Sequence, residues 1–170
     1  MIAEPFSAVL ELLYTLPGLD KNPMTAIAIL SEIGPDMSVF PSSKHLVSWA
    51  GCCPRNDQSN QKVKSRRISR ASGCYLQPLL VQVANALIKS KKHPEFKERY
   101  RRIKSHRGHK KAIIAVCKML LTAIWNMLSK LEPYNPDGFL EHRPVNEKRV
   151  LTKSQALELL RLRGYTITND

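Results

Sequence analysis

Apolar residues recur along this chain at three- and four-residue spacings, which predicts helices almost throughout. Phe6, Val9, Leu10 and Leu13 make the first such face, and Leu16-Pro17-Gly18 ends it. Asn22 offers an N-cap, and Pro23 suits the first helical position, where its missing N–H costs nothing. Ala26, Ile27, Leu30 and Ile33 give the second helix its apolar stripe, stopped by Gly34-Pro35. A third helix is expected over 43–50, with Leu46, Val47 and Trp49 to bury, and a fourth over 74–89, with Pro78 in its first turns. Pro94 opens a fifth, which carries Glu95 and Glu98 near its positive end and cations near its negative end. The sixth is the most apolar. Ala112, Ile113, Val116, Met119, Leu120, Ala123, Ile124, Met127 and Leu128 cover a wide face, which predicts a central position, and Glu132-Pro133 closes it.

Beyond this point Pro133, Pro136, Gly138 and Pro144 mark a linker, followed by a last amphipathic helix over 154–163. The expected fold is all-α: a compact multi-helix domain with a helix-hairpin-helix-like N-terminal part, a basic irregular loop that could form a short hairpin, and an appended C-terminal helix. Residues 1–15 would end a connecting helix, 16–132 form the main domain, 133–150 the linker, and 151–170 the appended helix and tail. A chain of 170 residues suffices for one ordinary core. The N-terminus is acidic and lacks the basic start of a secretory signal. The stretch Ala112 to Leu128, interrupted by Lys118, is short for a membrane span. A cytoplasmic protein without a membrane partner is therefore expected.

Charge sharpens the picture. The net charge is +13, and its distribution is uneven: residues 1–43 hold one cation and five acids, whereas 44–111 hold eighteen cations and three acids. Such partition argues for one basic face, and nucleic acid is the polyanion that most often shares it. The densest run is the loop with Arg55, Lys62, Lys64, Arg66, Arg67 and Arg70 against Asp57 alone. A second strip runs through Lys97, Arg99, Arg101, Arg102, Lys104, Arg107, Lys110 and Lys111, with Tyr100 available either to stack on a base or to pack on the sixth helix. The turn Leu16-Pro17-Gly18-Leu19-Asp20 can be read as a phosphate-binding hairpin in which Gly18 supplies a backbone contact, or as an ordinary helix-to-helix turn.

Ser59 lies inside the basic loop. Arg55, Lys62 and Arg66 could stabilise an alkoxide there, with Asp57 or His45 as proton acceptor; on composition alone, a loop serine is far more often a plain solvent-exposed residue. Cys52, Cys53, Cys74 and Cys117 lack paired C-x-x-C spacing, so they read as small buried hydrophobes, with no metal assigned to the chain.

Four blocks taken together, LPGLDKNPMTAIAILSEIG, VFPSSKHLVSWAGCCP, DQSNQKVKSRRISRASGCYL and HKKAIIAVCKMLLTAIWNML, resemble the C-terminal domain of one insertion-sequence transposase family. It is the Piv/MooV DNA-invertase group, of the IS-one-ten/IS-one-sixteen type, whose members are bridge-RNA-guided recombinases. The likeness covers about residues 12–131. It implies an N-terminal RuvC-like domain with four metal-binding carboxylates, which is expected to be missing from this chain along with its divalent metal. It also implies that the second domain supplies a serine that attacks the DNA backbone to give a phosphoserine intermediate; by position that serine is Ser59. Asn60 follows it where the family pattern has glycine, and Gln77 stands where an arginine usually follows the leucine. The resemblance thus implies DNA transposition, no cofactor held by this chain, and activity lost when the chain is isolated. Implied partners are DNA, a guide RNA, and either a second copy or a separate nuclease domain. A helical DNA- or RNA-binding module without chemistry is the alternative.

Overall fold

The computed structural model describes residues 4–53, 57–59, 62–65 and 75–136, with side chains described over 6–53 and 75–136. Six α-helices occur in it: α1 (Glu4–Tyr14), α2 (Pro23–Ile33), α3 (Ser43–Trp49), α4 (Leu76–Lys89), α5 (Pro94–Arg107) and α6 (His109–Lys130). One 3-10 turn, Met37–Val39, precedes α3, and one antiparallel hairpin, β1 (Asp57–Ser59) with β2 (Lys62–Ser65), lies between α3 and α4. The fold is all-helical apart from this hairpin, which forms inside the segment whose composition reads as an irregular loop. By backbone contacts the chain divides into Met1–Pro136 and Asp137–Asp170. The second unit, including the amphipathic stretch 154–163 and most of the expected linker, lies outside the described residues.

α6 is the hub. It packs against α1, α3, α4, α5 and the 3-10 turn, and Ala112, Ile113, Val116, Cys117, Leu120, Leu121, Ala123, Ile124, Met127 and Leu128 are buried along it. Its 22 residues start three positions before the apolar run, so it is long and apolar enough to cross a membrane by length and composition. Here its apolar face is covered by other helices, and Lys118 lies exposed on the remaining side. α4 answers with Leu76, Leu80, Val83, Ala84 and Leu87, a regular helical stripe.

The caps explain several boundaries. Asn22 accepts a hydrogen bond from the Thr25 N–H at 3.3 Å, and Pro23 occupies the first turn of α2. The buried face of α2 is Ala26, Ile29, Leu30 and Ile33, at i, i+3, i+4 and i+7; Ile27, expected inside, is exposed. Ile29 and Ile27 are equally apolar, and only the packing partner on one side decides between them. Leu131 ends α6 in the left-handed conformation, φ 54°, with its N–H returned to the Met127 carbonyl.

Tyr134, just past Pro133, is held by the helical unit. The Tyr134 N–H donates to Thr15 Oγ1 at 3.0 Å, its hydroxyl donates to buried Glu95 at 3.1 Å, and its ring stacks on Phe96. Glu95 sits in the first turn of α5, where the helix dipole favours its charge, and His93 Nδ1 lies 3.6 Å from it. A buried acid is thereby given partners instead of being left alone.

Candidate nucleic-acid interface

The basic segment between α3 and α4 is pinned at its root. α3 ends at Trp49, the chain turns at Gly51, whose φ is +67°, and the Cys52 N–H returns to the Val47 carbonyl at 3.0 Å. Gln77, in the first turn of α4, donates through Nε2 to the Gly51 carbonyl at 3.2 Å. The two ends of the segment between α3 and α4 are therefore tied at one place, through the Gln77 side chain. Between these ends β1 and β2 pair with Asp57 opposite Ser65, Gln58 opposite Val63 and Ser59 opposite Lys62, with an irregularity between Asp57 and Gln58. This register puts the backbone of Ser59 directly across from that of Lys62, next to the hairpin's tip, and places Lys64 two residues further along β2. Arg55, Arg66, Arg67 and Arg70 lie outside the described residues.

A second cationic surface is fully described. α5 is a polar helix that buries only Glu95 and Phe96, so most of its circumference meets solvent. Pro94 at its start, Glu95 in its first turn and Lys104, His106 and Arg107 in its last turn all match the helix dipole. Arg99, Arg101, Arg102, Lys104, Arg107, Lys110 and Lys111 are exposed along α5 and the first turn of α6. Partial burial, with the like charge of Arg102 adding, holds the Arg99 guanidinium below its usual range. The two helices meet at Gly108, φ +80° and ψ 172°, a conformation that side chains other than glycine's rarely adopt. Tyr100 braces that corner. Its hydroxyl shares a 2.8 Å hydrogen bond with His109 Nδ1, the rings meet edge to face, and Lys104 Nζ lies 5.5 Å from the ring centroid. Of the two roles open to Tyr100, packing against α6 is the one this geometry shows.

Gly18 serves a different purpose from the one expected of a phosphate-binding hairpin. Its N–H donates to Asp20 Oδ1 at 3.2 Å, so a carboxylate already occupies the donor. A Cβ at Gly18 would stand 2.9 Å from Val83 Cγ1 and 3.3 Å from Leu87 Cγ, so the turn is seated against α4, with Leu16 and Leu19 fully buried on either side. Among the other acceptors proposed for Ser59, His45 shares a hydrogen bond with Ser42 Oγ at 2.9 Å on the exposed side of α3. Asp57 lies two residues before Ser59 on the same strand.

Among the described residues no group of three or more His, Cys, Asp or Glu side chains could hold a metal ion. Cys52 and Cys117 are buried thiols. Burial, with Cys53 adding, pushes Cys52 up to about 12, and burial, with Cys52 adding, raises Cys117. Unfolded thiols ionise near 9, so between pH 9 and 12 the unfolded chain releases protons that the folded chain keeps. Stability is expected to fall as pH rises through that window; in a urea titration at pH 8 and pH 10.5, replacing Cys52 with alanine should lessen the difference. An equal alkaline loss in both chains would remove Cys52 as its source.

The family described as Transposase IS116/IS110/IS902 matches residues 10–101, from within α1 to within α5 and so across the whole hairpin segment. The chain belongs to this transposase family. Among proteins similar to this transposase-family chain is a pilin gene-inverting protein of Moraxella bovis, 32% identical over 127 residues, which are 74% of this chain and 38% of that protein. Its namesake from Moraxella lacunata is 30% identical over the same length. A transposase for insertion sequence element IS1111A from Coxiella burnetii is 27% identical over 122 residues, 71% of this chain and 33% of that one. The chain thus spans 38% or less of the length of these curated relatives. No solved structure matches it.

Proposed function

We propose that this chain is the DNA-binding, serine-bearing part of an insertion-sequence recombinase, working on cytoplasmic DNA beside a RuvC-like nuclease part. The observation that carries the reading is the family match across 10–101, because it includes the hairpin with Ser59 and Lys62. The sequence gathers Arg55, Lys62, Lys64, Arg66, Arg67 and Arg70 around that hairpin, and Lys104, Arg107 and Lys110 extend the cationic surface along α5 and α6. Such cations bind sugar-phosphate backbone without reading bases, and a guide RNA would meet the same groups, since it presents the same phosphates.

In the chemistry proposed, Ser59 Oγ attacks a backbone phosphorus. Its proton passes to a nearby base, the sugar oxygen leaves as a hydroxyl, and a phosphoserine ester remains. The charge built up on the phosphate oxygens is what neighbouring cations would stabilise. The relatives' names support inversion and transposition of DNA as the wider process.

The test supplies this chain with the RuvC-like part of a relative, magnesium and DNA carrying the matching insertion-sequence end, then resolves covalent protein–DNA adducts under denaturing conditions. The wild-type chain should form an adduct, and Ser59→Ala should reduce it below detection while leaving noncovalent affinity within about twofold. Adduct formation unchanged in Ser59→Ala would falsify the nucleophile assignment; binding without any adduct in either chain would leave a DNA-binding module without chemistry.

A further inference from the structure

We infer that His109 is a phosphate contact of the α5–α6 surface, aimed by Tyr100, and that it tightens the hold on nucleic acid by taking up a proton. The inference rests on the nucleic-acid reading above and adds to it one contact residue and a dependence on pH.

His109 is the first residue of α6 and stands exposed just past the turn at Gly108. Its ring is held rather than loose. The Tyr100 hydroxyl shares the 2.8 Å hydrogen bond with Nδ1, and the two rings meet edge to face, their centroids 5.8 Å apart. Tyr100 is half-buried, with Lys104 Nζ 5.5 Å from its centroid, so the hydroxyl has a firm base. With Nδ1 engaged, Nε2 lies on the far side of the imidazole, turned away from Tyr100. A side chain oriented before its ligand arrives loses less freedom on binding.

The surroundings select the ligand. Arg99, Arg101, Arg102, Lys104, Arg107, Lys110 and Lys111 share this corner of the chain with His106, and no carboxylate occurs from Arg99 to Leu131. The two acids of α5, Glu95 and Glu98, lie in its first two turns, and buried Glu95 accepts from Tyr134. Of the other elements packed on α6, α4 bears Lys89 in its last turn, α3 bears Lys44 and His45, and α1 bears Glu4, Glu11 and Tyr14. The corner is thus set to receive an anion, and on nucleic acid that anion is the backbone phosphate.

The protonated ring serves that ligand best. Imidazolium donates from both nitrogens, so Nδ1–H meets the Tyr100 oxygen while Nε2–H meets a phosphate oxygen; a hydroxyl accepts as readily as it donates. The neutral ring has one N–H to offer and no charge. A phosphate therefore favours the charged form, and by linkage the charged form favours the phosphate, so affinity rises as pH falls.

The experiment measures fluorescence anisotropy of the full chain with a labelled mixed-sequence DNA duplex, at constant ionic strength, from about pH 8 to about pH 5.5, where histidine side chains as a class gain charge. The wild-type chain should bind about three- to fivefold more tightly at the acid end, the scale of one exposed ion pair. His109→Gln should remove most of this gain, whereas His106→Gln, which deletes an imidazole from the same surface, should keep it. Tyr100→Phe retains the ring and the Lys104 contact but not the hydroxyl; it should cut the gain by at least about half while leaving affinity near pH 8 within about twofold. A gain that persists in His109→Gln, or is lost equally in His106→Gln, would overturn the assignment while leaving electrostatic binding intact. A gain unchanged in Tyr100→Phe would overturn the aiming role of the hydroxyl. Failure to bind the duplex at low salt at either pH would remove the nucleic-acid reading itself and this inference with it.

Discussion

Raising the salt concentration from about 50 to about 200 mM is expected to weaken the chain's hold on DNA by a thousandfold or more. The expectation follows from cation number and placement. Residues 44–111 carry eighteen cations against three acids, and seven of them lie exposed along α5 and the start of α6. If about six to ten meet phosphates, each displaces condensed counterions, and the logarithm of affinity falls in proportion to their number. Replacing Arg66 and Arg67 together with alanine should lower the salt slope by about two, one for each phosphate no longer neutralised. Lys118, on the outer side of α6, offers a control: Lys118→Ala should leave the slope within error. A slope near zero, or one moved as much by Lys118→Ala as by the arginines, would mean that the charge excess is not gathered on a working surface.

Gly18→Val is expected to cost about 3–5 kcal/mol of folding stability, as much as a third to a half of what an ordinary domain possesses. Two effects combine there. The backbone is at φ +87°, where a β-branched side chain is strained by about 1–3 kcal/mol. A first carbon would already be 2.9 Å from Val83 Cγ1, so α1, α2 and α4 would have to part, an overpacking penalty of similar size. Gly108 isolates the first effect: its φ is +80° but nothing lies within 4 Å of an added Cβ, so Gly108→Ala should cost about 1–3 kcal/mol from strain alone. Urea denaturation of the three chains measures both. Equal losses at the two glycines would show that the Gly18 turn is not packed against α4.

The helices are legible in the sequence where local chemistry agrees with burial. Asn22-Pro23 and Gly34 bound α2 as expected, and the apolar breadth of α6 announces its central place. Three features are weakly signalled or escape such reading, for definite reasons. Ile27 and Ile29 are equally apolar, and only tertiary packing decides which is buried. The hairpin has Val63 as its one apolar residue between Asp57 and Ser65, too little alternation to signal strands. Tyr134 follows a proline that ends helices, yet its bonds to Thr15 and Glu95 draw it into the helical unit, and long-range contacts of this kind leave no periodic trace.

The candidate site is legible in part. Its cations are plain in the composition, and Lys104, Arg107 and Lys110 share one corner because Gly108 turns the chain between two helices. Gly18 reads equally well as a phosphate contact or a packing glycine, and Val83 and Leu87, more than sixty residues away, give it the packing role.

Amide hydrogen exchange of the full chain, with and without DNA, reads the binding surface directly. Gain of protection in β1 and β2 and along the second half of α5 into the first turn of α6, with α2 unchanged, is the predicted result. Protection confined to α1 and α2, with the hairpin and the α5–α6 corner exchanging as in the free chain, would contradict the claim that a basic face around Ser59 holds the nucleic acid.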